Sequence, residues 1–372
     1  MRILHLLNDI QNVGNGIVNA AVDLACLQQQ MGNTVAIAAG PAQLIDRQRE
    51  NATDYRELLA KRGVQYFFLD QSRTLTNLLR AVRQYRQIVR TFQPDIVHVH
   101  MITGAILAPA LRLGDRHQVI STVHNEFQRS ATLMGLADKV IAVSQAVAIA
   151  MNRRGVPQRK LHVVQNGTIG SLRQRPLEEH TAIPLSRPAI ATVAGLYYRK
   201  GIAELIEGFD RVASRYSGAH LYIVGDGPER SQFEALAAAS PFAARIHFEG
   251  FQPQPQRYLQ STDIFVLASR KDPCPLAISE AREAGCAIVA SRVDGIPEAL
   301  DNGAAGILTR VGDSQSIAQA LKTLLEDPKT LAAWRRRAKQ NLNHLSVQRM
   351  CQETLAVYEA NLQLHSIESQ RV

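Results

Sequence analysis

A chain of 372 residues with 46% hydrophobic and 20% charged residues is too long for one hydrophobic core to be the natural expectation, and it reads as two globular domains, not a disordered polymer. Its 42 basic and 33 acidic residues give a net charge of +9, but aromatic residues are only 5% and no recognition motif accompanies the charge, which argues against nucleic acid as a partner. The opening run Met1-Arg-Ile-Leu-His-Leu-Leu is stopped by Asn8-Asp9, too soon for a signal peptide, and no apolar run approaches the ~20 residues of a membrane span. Cys26, Cys274, Cys286 and Cys351 show neither metal-ligand nor redox spacing, so a cytoplasmic location is expected, with attachment to the inner face of a membrane left open.

In chain order, short apolar runs separated by helical spacers predict buried parallel strands with crossover helices at Arg2 to Leu7, Thr34 to Ala39, Gln65 to Leu69, Asp95 to His100, Val119 to His124, Lys139 to Val143 and Leu161 to Val164. After the first of these, Asn12-Val-Gly14-Asn15-Gly16-Ile17 is a glycine-rich loop opening a helix near Val18, where backbone can approach a phosphate or an acceptor closely. Between Leu75 and Phe92, Arg80, Arg83, Arg86 and Arg90 recur at helical spacing opposite a stripe of Leu75, Leu79, Val82, Val89 and Phe92. Such a basic face either leans on anionic lipid headgroups or is a solvated helix packed on its sheet. His98 and His100 alternate on one strand and share a face; His98 reads as core and His100 as a lining residue of the acceptor side.

The stretch from Ser171 to Pro188, polar and basic with Pro176, Pro184 and Pro188, is the best linker. A second alternating series follows at Ala189 to Ala194, His220 to Val224, Arg245 to Phe248, Ile264 to Ala268, Ala287 to Ala290 and Gly306 to Thr309. The expected architecture is α/β, with two doubly wound Rossmann-like domains, 1–175 and 188–346, facing each other across a deep cleft that receives ligands at the strands' carboxyl ends.

The strongest chemical signal is Asp272-Pro-Cys-Pro-Leu-Ala-Ile-Ser-Glu280, an acid, seven residues and a second acid, where a strand runs through a polar turn into a helix that Pro275 can start. Free N–H groups and the positive helix end favour a phosphate, and flanking carboxylates can accept hydrogen bonds from hydroxyls; together they suit a nucleotide sugar. No Asp-x-Asp occurs in the chain and the His and acidic residues form no compact metal set by spacing, so neutralisation of a leaving diphosphate falls to fixed cations and oriented N–H groups, with no metal expected.

These residues resemble the acid-x7-Glu motif of the retaining nucleotide-sugar glycosyltransferases of the GT-B fold, glycosyltransferase family 4. Asn15-Gly16, Thr122-Val-His124, Ala137-Asp-Lys-Val-Ile-Ala-Val-Ser144, Asn166-Gly167, Lys200-Gly201, Val224-Gly-Asp-Gly-Pro228 and Gly295-Ile-Pro-Glu298 fall in that family's order over nearly the whole chain. The resemblance implies sugar transfer from a nucleotide diphosphate donor to a hydroxyl of a saccharide or lipid-linked acceptor, with retention and without a cofactor, and a last helix (347–372) crossing back to the first domain. It places His124, Lys200 and Asp272 at the reacting centre. Donor contacts are implied for Gly16, Arg199, Lys200, His247, Asp272, Cys274, Leu276, Ala277 and Glu280, the last on the ribose hydroxyls, and acceptor-side positions for Asn15, Gly16 and His100. Two departures stand out. Gly195 occupies the position of the family's arginine, leaving Arg199 as the nearest replacement, and Pro273 replaces a glycine and removes one backbone donor.

UDP, GDP and ADP donors all fit, and three other readings compete. A sugar-nucleotide epimerase shares the fold. A donor-binding protein without catalysis would accommodate Gly195 and Pro273. An NAD-dependent oxidoreductase is suggested by Gly14-x-Gly16-x-x-Asn19, but these glycines come late after the first strand and Gly40-Pro41 stands where an acid should end the second.

Overall fold

The computed structural model describes residues 1–12, 15–40, 53–70, 75–110 and 117–369; Val13, Gly14 and Pro41 of the motifs above lie outside them. The chain divides into two compact units, one of 1–174 with 346–372 and one of 175–345. Each is built on a parallel sheet.

In the first unit, strands β1 (Arg2–Leu6), β3 (Thr34–Ala39), β5 (Gln65–Phe68), β6 (Ile96–Val99), β7 (Gln118–Val123), β8 (Lys139–Ala142) and β9 (Leu161–Val163) form a seven-stranded sheet in the order β5-β3-β1-β6-β7-β8-β9. A two-residue antiparallel pair, β2 (Gln11–Asn12) with β4 (Thr53–Asp54), lies outside it. The chain winds outward from β1 through β3 to β5, then returns beside β1 as β6 and winds the other way. Strands so placed are buried on both faces and therefore read as apolar runs, with Ile3, Val35, Ile37, Ile96 and Ile120 in one core. Helix Gly16–Gln30 covers this face together with helix Val347–Ser369, whose Met350, Cys351, Leu355 and Tyr358 join the same cluster. The first residues of the expected linker belong to this unit, because Arg173 Nε donates to the buried Asp23 carboxylate at 2.9 Å and Ser171 Oγ donates to its other oxygen at 2.7 Å.

The second unit carries β10 (Ala189–Val193), β11 (His220–Val224), β12 (Ile246–Gly250), β13 (Ile264–Leu267), β14 (Ala287–Ser291) and β15 (Ile307–Thr309), ordered β12-β11-β10-β13-β14-β15. Its winding direction also reverses once, between β10 and β13. In each sheet that reversal opens a crevice at the carboxyl ends of two neighbouring strands whose connections leave in opposite directions.

Helix Leu276–Ala284 follows β13 and is held by an unusual anchor. Arg282 is fully buried, donating to the carbonyls of Ala338 (2.9 Å), Ala299 (2.7 Å) and Gln340 (2.5 Å) and to Asp301 Oδ2 (3.0 Å). A buried guanidinium survives only because its donors are matched to acceptors in this way, and removing it strands the acceptors. Arg282→Met is expected to destabilise the protein by about 3–5 kcal/mol, against a few tenths for the exposed Arg211→Met, read from denaturation midpoints in urea.

Candidate active site

In the second unit Lys200, Ser269 and Asp272 come together at the reversal between β10 and β13. After β10 the chain makes a single 3-10 turn, Tyr198–Lys200, and enters helix Ile202–Ala213 through Gly201. Gly201 has φ +68°, and a Cβ there would come within 1.9 Å of the Ala268 carbonyl oxygen, so the turn packs backbone on backbone against the end of β13. Gly225 does the same for β11, with φ +140° and a virtual Cβ 1.9 Å from the Ala194 carbonyl oxygen. These contacts place Lys200 beside the loop after β13. Its Nζ donates to Asp272 Oδ2 at 2.6 Å, and Ser269 Oγ donates to the same oxygen at 3.2 Å. Asp272 is buried, and its backbone N–H donates to Asp294 Oδ2 at 2.8 Å. The first acid of the motif is thus the counter-ion of the lysine.

Pro275 stands one residue before the helix, as its N-cap, and not inside the first turn as the sequence suggested; its ψ of 101° is extended. Leu276 and Ala277 open the helix, where N–H groups have no carbonyl four residues back within the helix. Ile278, Ser279, Ala281 and Arg282 face the core, while Leu276, Ala277 and Glu280, at helical spacing of three and four, share a half-open face. Cys274, in no disulfide, is half-buried in the preceding turn. Glu283, one turn on, is also half-buried, and burial with the nearby Glu178 pushes its carboxyl above the usual range.

Arg199 has a clear reason for its position. Gly195 lacks a side chain where the Tyr197 ring lies, with a virtual Cβ 2.9 Å from Cε2, and the Arg199 guanidinium stacks over that ring at 5.4 Å. Arg199 Nη1 also donates to the Lys271 carbonyl at 3.5 Å. His247 is different. It is the second residue of β12, its ring lies 4.8 Å from that of Tyr222, and its Nε2 is 3.0 Å from Nδ1 of His220 at the start of β11. That is the amino end of the strands, so the expected base contact is corrected: the β12 residue at the carboxyl end is Gly250, not His247.

In the first unit, helix Gly16–Gln30 starts two residues earlier than expected, capped by Asn15 Oδ1, which accepts from the Ile17 N–H at 3.1 Å. His124 follows β7, and its Nε2 lies 3.1 Å from His100 Nδ1. His100 Nε2 lies 3.0 Å from His5 Nδ1, so both ring nitrogens of His100 are taken and the residue is 4% exposed. His100, expected on the acceptor side, is thus a buried residue that lines a small cavity with Thr122, His124 and Asn166. His98 bonds Thr122 Oγ1 at 2.7 Å and the Tyr358 hydroxyl at 2.5 Å, as a core residue should. Burial holds all four histidines neutral, lowering His5 to about 4 and His124 to about 3, with His98 and His100 well below the ordinary value. Spacing along the chain showed no metal set, but the fold brings ligand atoms of His5, His98 and His100 within 4.8 Å of one another. Parallel pairing, which sets His5 opposite His98, does what linear spacing cannot show.

Two Rossmann-like parallel sheets, each with polar residues gathered where its winding reverses, are the architecture of the GT-B fold. The chain matches Glycosyltransferase Family 4 over residues 14–168 and Glycosyl transferases group 1 over residues 174–341, and it belongs to that family as a retaining, metal-independent nucleotide-sugar glycosyltransferase. It is 27% identical over 253 residues, 65% of this chain and 68% of the relative, to the lipopolysaccharide core biosynthesis glycosyltransferase LpsD of Rhizobium meliloti strain 1021. It is 25% identical over 269 residues, 67% of this chain and 70% of the relative, to N-acetyl-alpha-D-glucosaminyl L-malate synthase of Bacillus anthracis. In fold it is similar to Anabaena HepE in complex with UDP and glucose, with a TM-score of 0.79 at 18% identity over 96% of this chain and 99% of the other. Sucrose-phosphate synthase of Thermosynechococcus elongatus is equally similar, at 0.79 and 17% identity over 98% and 99%.

If Glu280 accepts from a donor hydroxyl, Glu280→Gln is expected to weaken donor binding about tenfold or more, since a hydrogen bond to a charged group contributes ~1.5–3 kcal/mol. Glu207→Gln, on an exposed helix face, is the control and should leave affinity unchanged. Titration calorimetry with UDP-sugars reads both, and equal small losses would make Glu280 a surface residue.

Proposed function

We propose that this enzyme transfers the glycosyl group of a UDP-sugar to a hydroxyl of a saccharide or lipid-linked acceptor, in the building of a polysaccharide or glycolipid. The observation that carries the reading is the Lys200–Asp272 pair beside the start of helix Leu276–Ala284. The HepE complex with UDP and glucose and the lipopolysaccharide role named for LpsD support the donor and acceptor classes.

An incoming diphosphate competes with Asp272 for the Lys200 ammonium. Lys200, Arg199 and the N–H groups of Leu276 and Ala277 then face the diphosphate, Glu280 the ribose, and the released Asp272 carboxylate a sugar hydroxyl. His124 is read as a donor-sugar contact and the Asn15-Gly16 turn as an acceptor-side element. The acceptor oxygen bonds to the anomeric carbon on the face that the diphosphate leaves, the bond from that carbon to the diphosphate oxygen breaks, and the acceptor's proton passes to the departing phosphate. Charge builds on the leaving group, so its fixed cations contribute most.

Incubation with UDP-, GDP- and ADP-sugars and a panel of saccharide and lipid-linked acceptors is expected to yield free UDP and a glycosylated product of unchanged anomeric configuration. Turnover should stay within a few fold in EDTA and fall about 100-fold or more in Lys200→Ala. Recovery of an isomerised donor would instead identify an epimerase.

The acceptor class has a second support. On helix Leu75–Phe92, Arg80, Arg83, Arg86 and Arg90 are all exposed, and the buried face is Ala81, Tyr85, Ile88, Val89 and Phe92. This corrects the expected apolar stripe: Val82 is half-buried, Leu79 is 68% exposed next to Arg80, and the Leu75 side chain lies outside the described residues. An exposed leucine among arginines suits an anionic bilayer surface, where each basic residue contributes ~1 kcal/mol. Among the described residues no helix is long and apolar enough to cross a membrane. Replacing the four arginines by glutamine should abolish co-sedimentation with anionic vesicles at low salt and leave UDP-sugar affinity intact; equal sedimentation of both forms would make the face merely solvated.

A further inference from the structure

Four side chains form one continuous hydrogen-bonded line through the core of the first unit: Gln28 Oε1 to His5 Nε2 (2.8 Å), His5 Nδ1 to His100 Nε2 (3.0 Å), and His100 Nδ1 to His124 Nε2 (3.1 Å). Gln28, His5 and His100 are each 4% exposed or less. A neutral imidazole has one donor and one acceptor nitrogen, so in such a line each ring dictates the tautomer of the next. Only the Gln28 amide has chemically unlike ends. Its oxygen accepts from His5, while its NH₂ donates to the Tyr358 hydroxyl at 3.4 Å, which in turn donates to His98 Nδ1. With Gln28 Oε1 as a fixed acceptor, the proton of His5 sits on Nε2. His100 must then donate from Nε2, and His124 likewise.

We propose that Gln28, His5 and His100 are positioning residues that hold His124 as its Nε2–H tautomer and so present its Nδ1 as a hydrogen-bond acceptor toward a donor-sugar hydroxyl. The proposal rests on the reading of His124 as a donor-sugar contact. A hydroxyl-bearing sugar donates to such an acceptor, whereas a sugar lacking that hydroxyl leaves the nitrogen unpaired, so the relay contributes to donor selection. The same line leaves the three clustered histidines no spare ring nitrogen for a metal ion. His5 and His100 use both nitrogens in it, and His98 uses both on Thr122 and Tyr358, so none offers a lone pair without breaking a bond.

Nitrogen-15 NMR of the full-length protein labelled at histidine distinguishes protonated from bare ring nitrogens directly, with resonances assigned by loss in His5→Gln, His100→Gln and His124→Gln. In the wild type, His5, His100 and His124 are expected to carry their protons on Nε2. A proton on Nδ1 of any of the three would overturn the relay, and so would saturable zinc uptake that removes these signals. The Gln28→Met variant removes the anchoring acceptor, and His124 should then become a mixture of tautomers, with kcat/KM for UDP-sugar lowered about tenfold and affinity for UDP alone unchanged. An unaltered His124 spectrum in that variant would also overturn the proposal. If instead His124→Gln transfers sugar as well as the wild type, the role of His124 at the donor fails, although the tautomer result stands on its own.

Discussion

A parallel sheet covered on both faces by helices leaves polar chemistry one place to work, the carboxyl ends of its strands. The strand interiors here are mostly apolar for that reason, and each connection that leaves β1, β6, β10 or β13 does so from that end. The reversal of winding between β1 and β6, and again between β10 and β13, separates neighbouring connections and opens room for a ligand. Lys200 follows β10 and Asp272 follows β13, so two residues more than seventy positions apart meet at 2.6 Å because of the strand order alone.

That meeting shapes the chemistry. A lysine ammonium pulled partly from water is costly unless it is paired, and Asp272 supplies the partner in the absence of ligand. A diphosphate, carrying more charge than one carboxylate, is a stronger partner for the same cation. Tyr197, lying against Gly195, and Arg199, stacked on Tyr197, show how a cation can be kept in the neighbourhood when the residue at Gly195 has no side chain.

The first unit breaks the apolar rule once. His5, His98, His100 and Thr122 lie in strands or at their ends in the core, and they persist there because every ring nitrogen of the three histidines has a partner and all are neutral. The last helix contributes Tyr358 to this network from more than two hundred residues away in sequence, which makes it part of the unit's interior and not only a cover.

By itself the sequence determined the strands, since buried parallel strands are short apolar runs that period and punctuation reveal, and it determined the Asp272 to Glu280 junction, whose residue types and spacing are local. Helix starts shifted by a residue or two, as at Gly16 and Pro275, because capping is decided by side-chain geometry. What only tertiary structure decided were relations between strands: the Lys200–Asp272 pair, the buried Arg282 anchor, the removal of His247 to the wrong end of its sheet, and the histidine line. His98-x-His100 and Thr122-x-His124 carried a visible hint, period-two polar residues in strands otherwise apolar. But which histidine touches which, and which nitrogen holds the proton, follow from parallel register and from Gln28 and Tyr358 on two helices, none of which is encoded within a single local window.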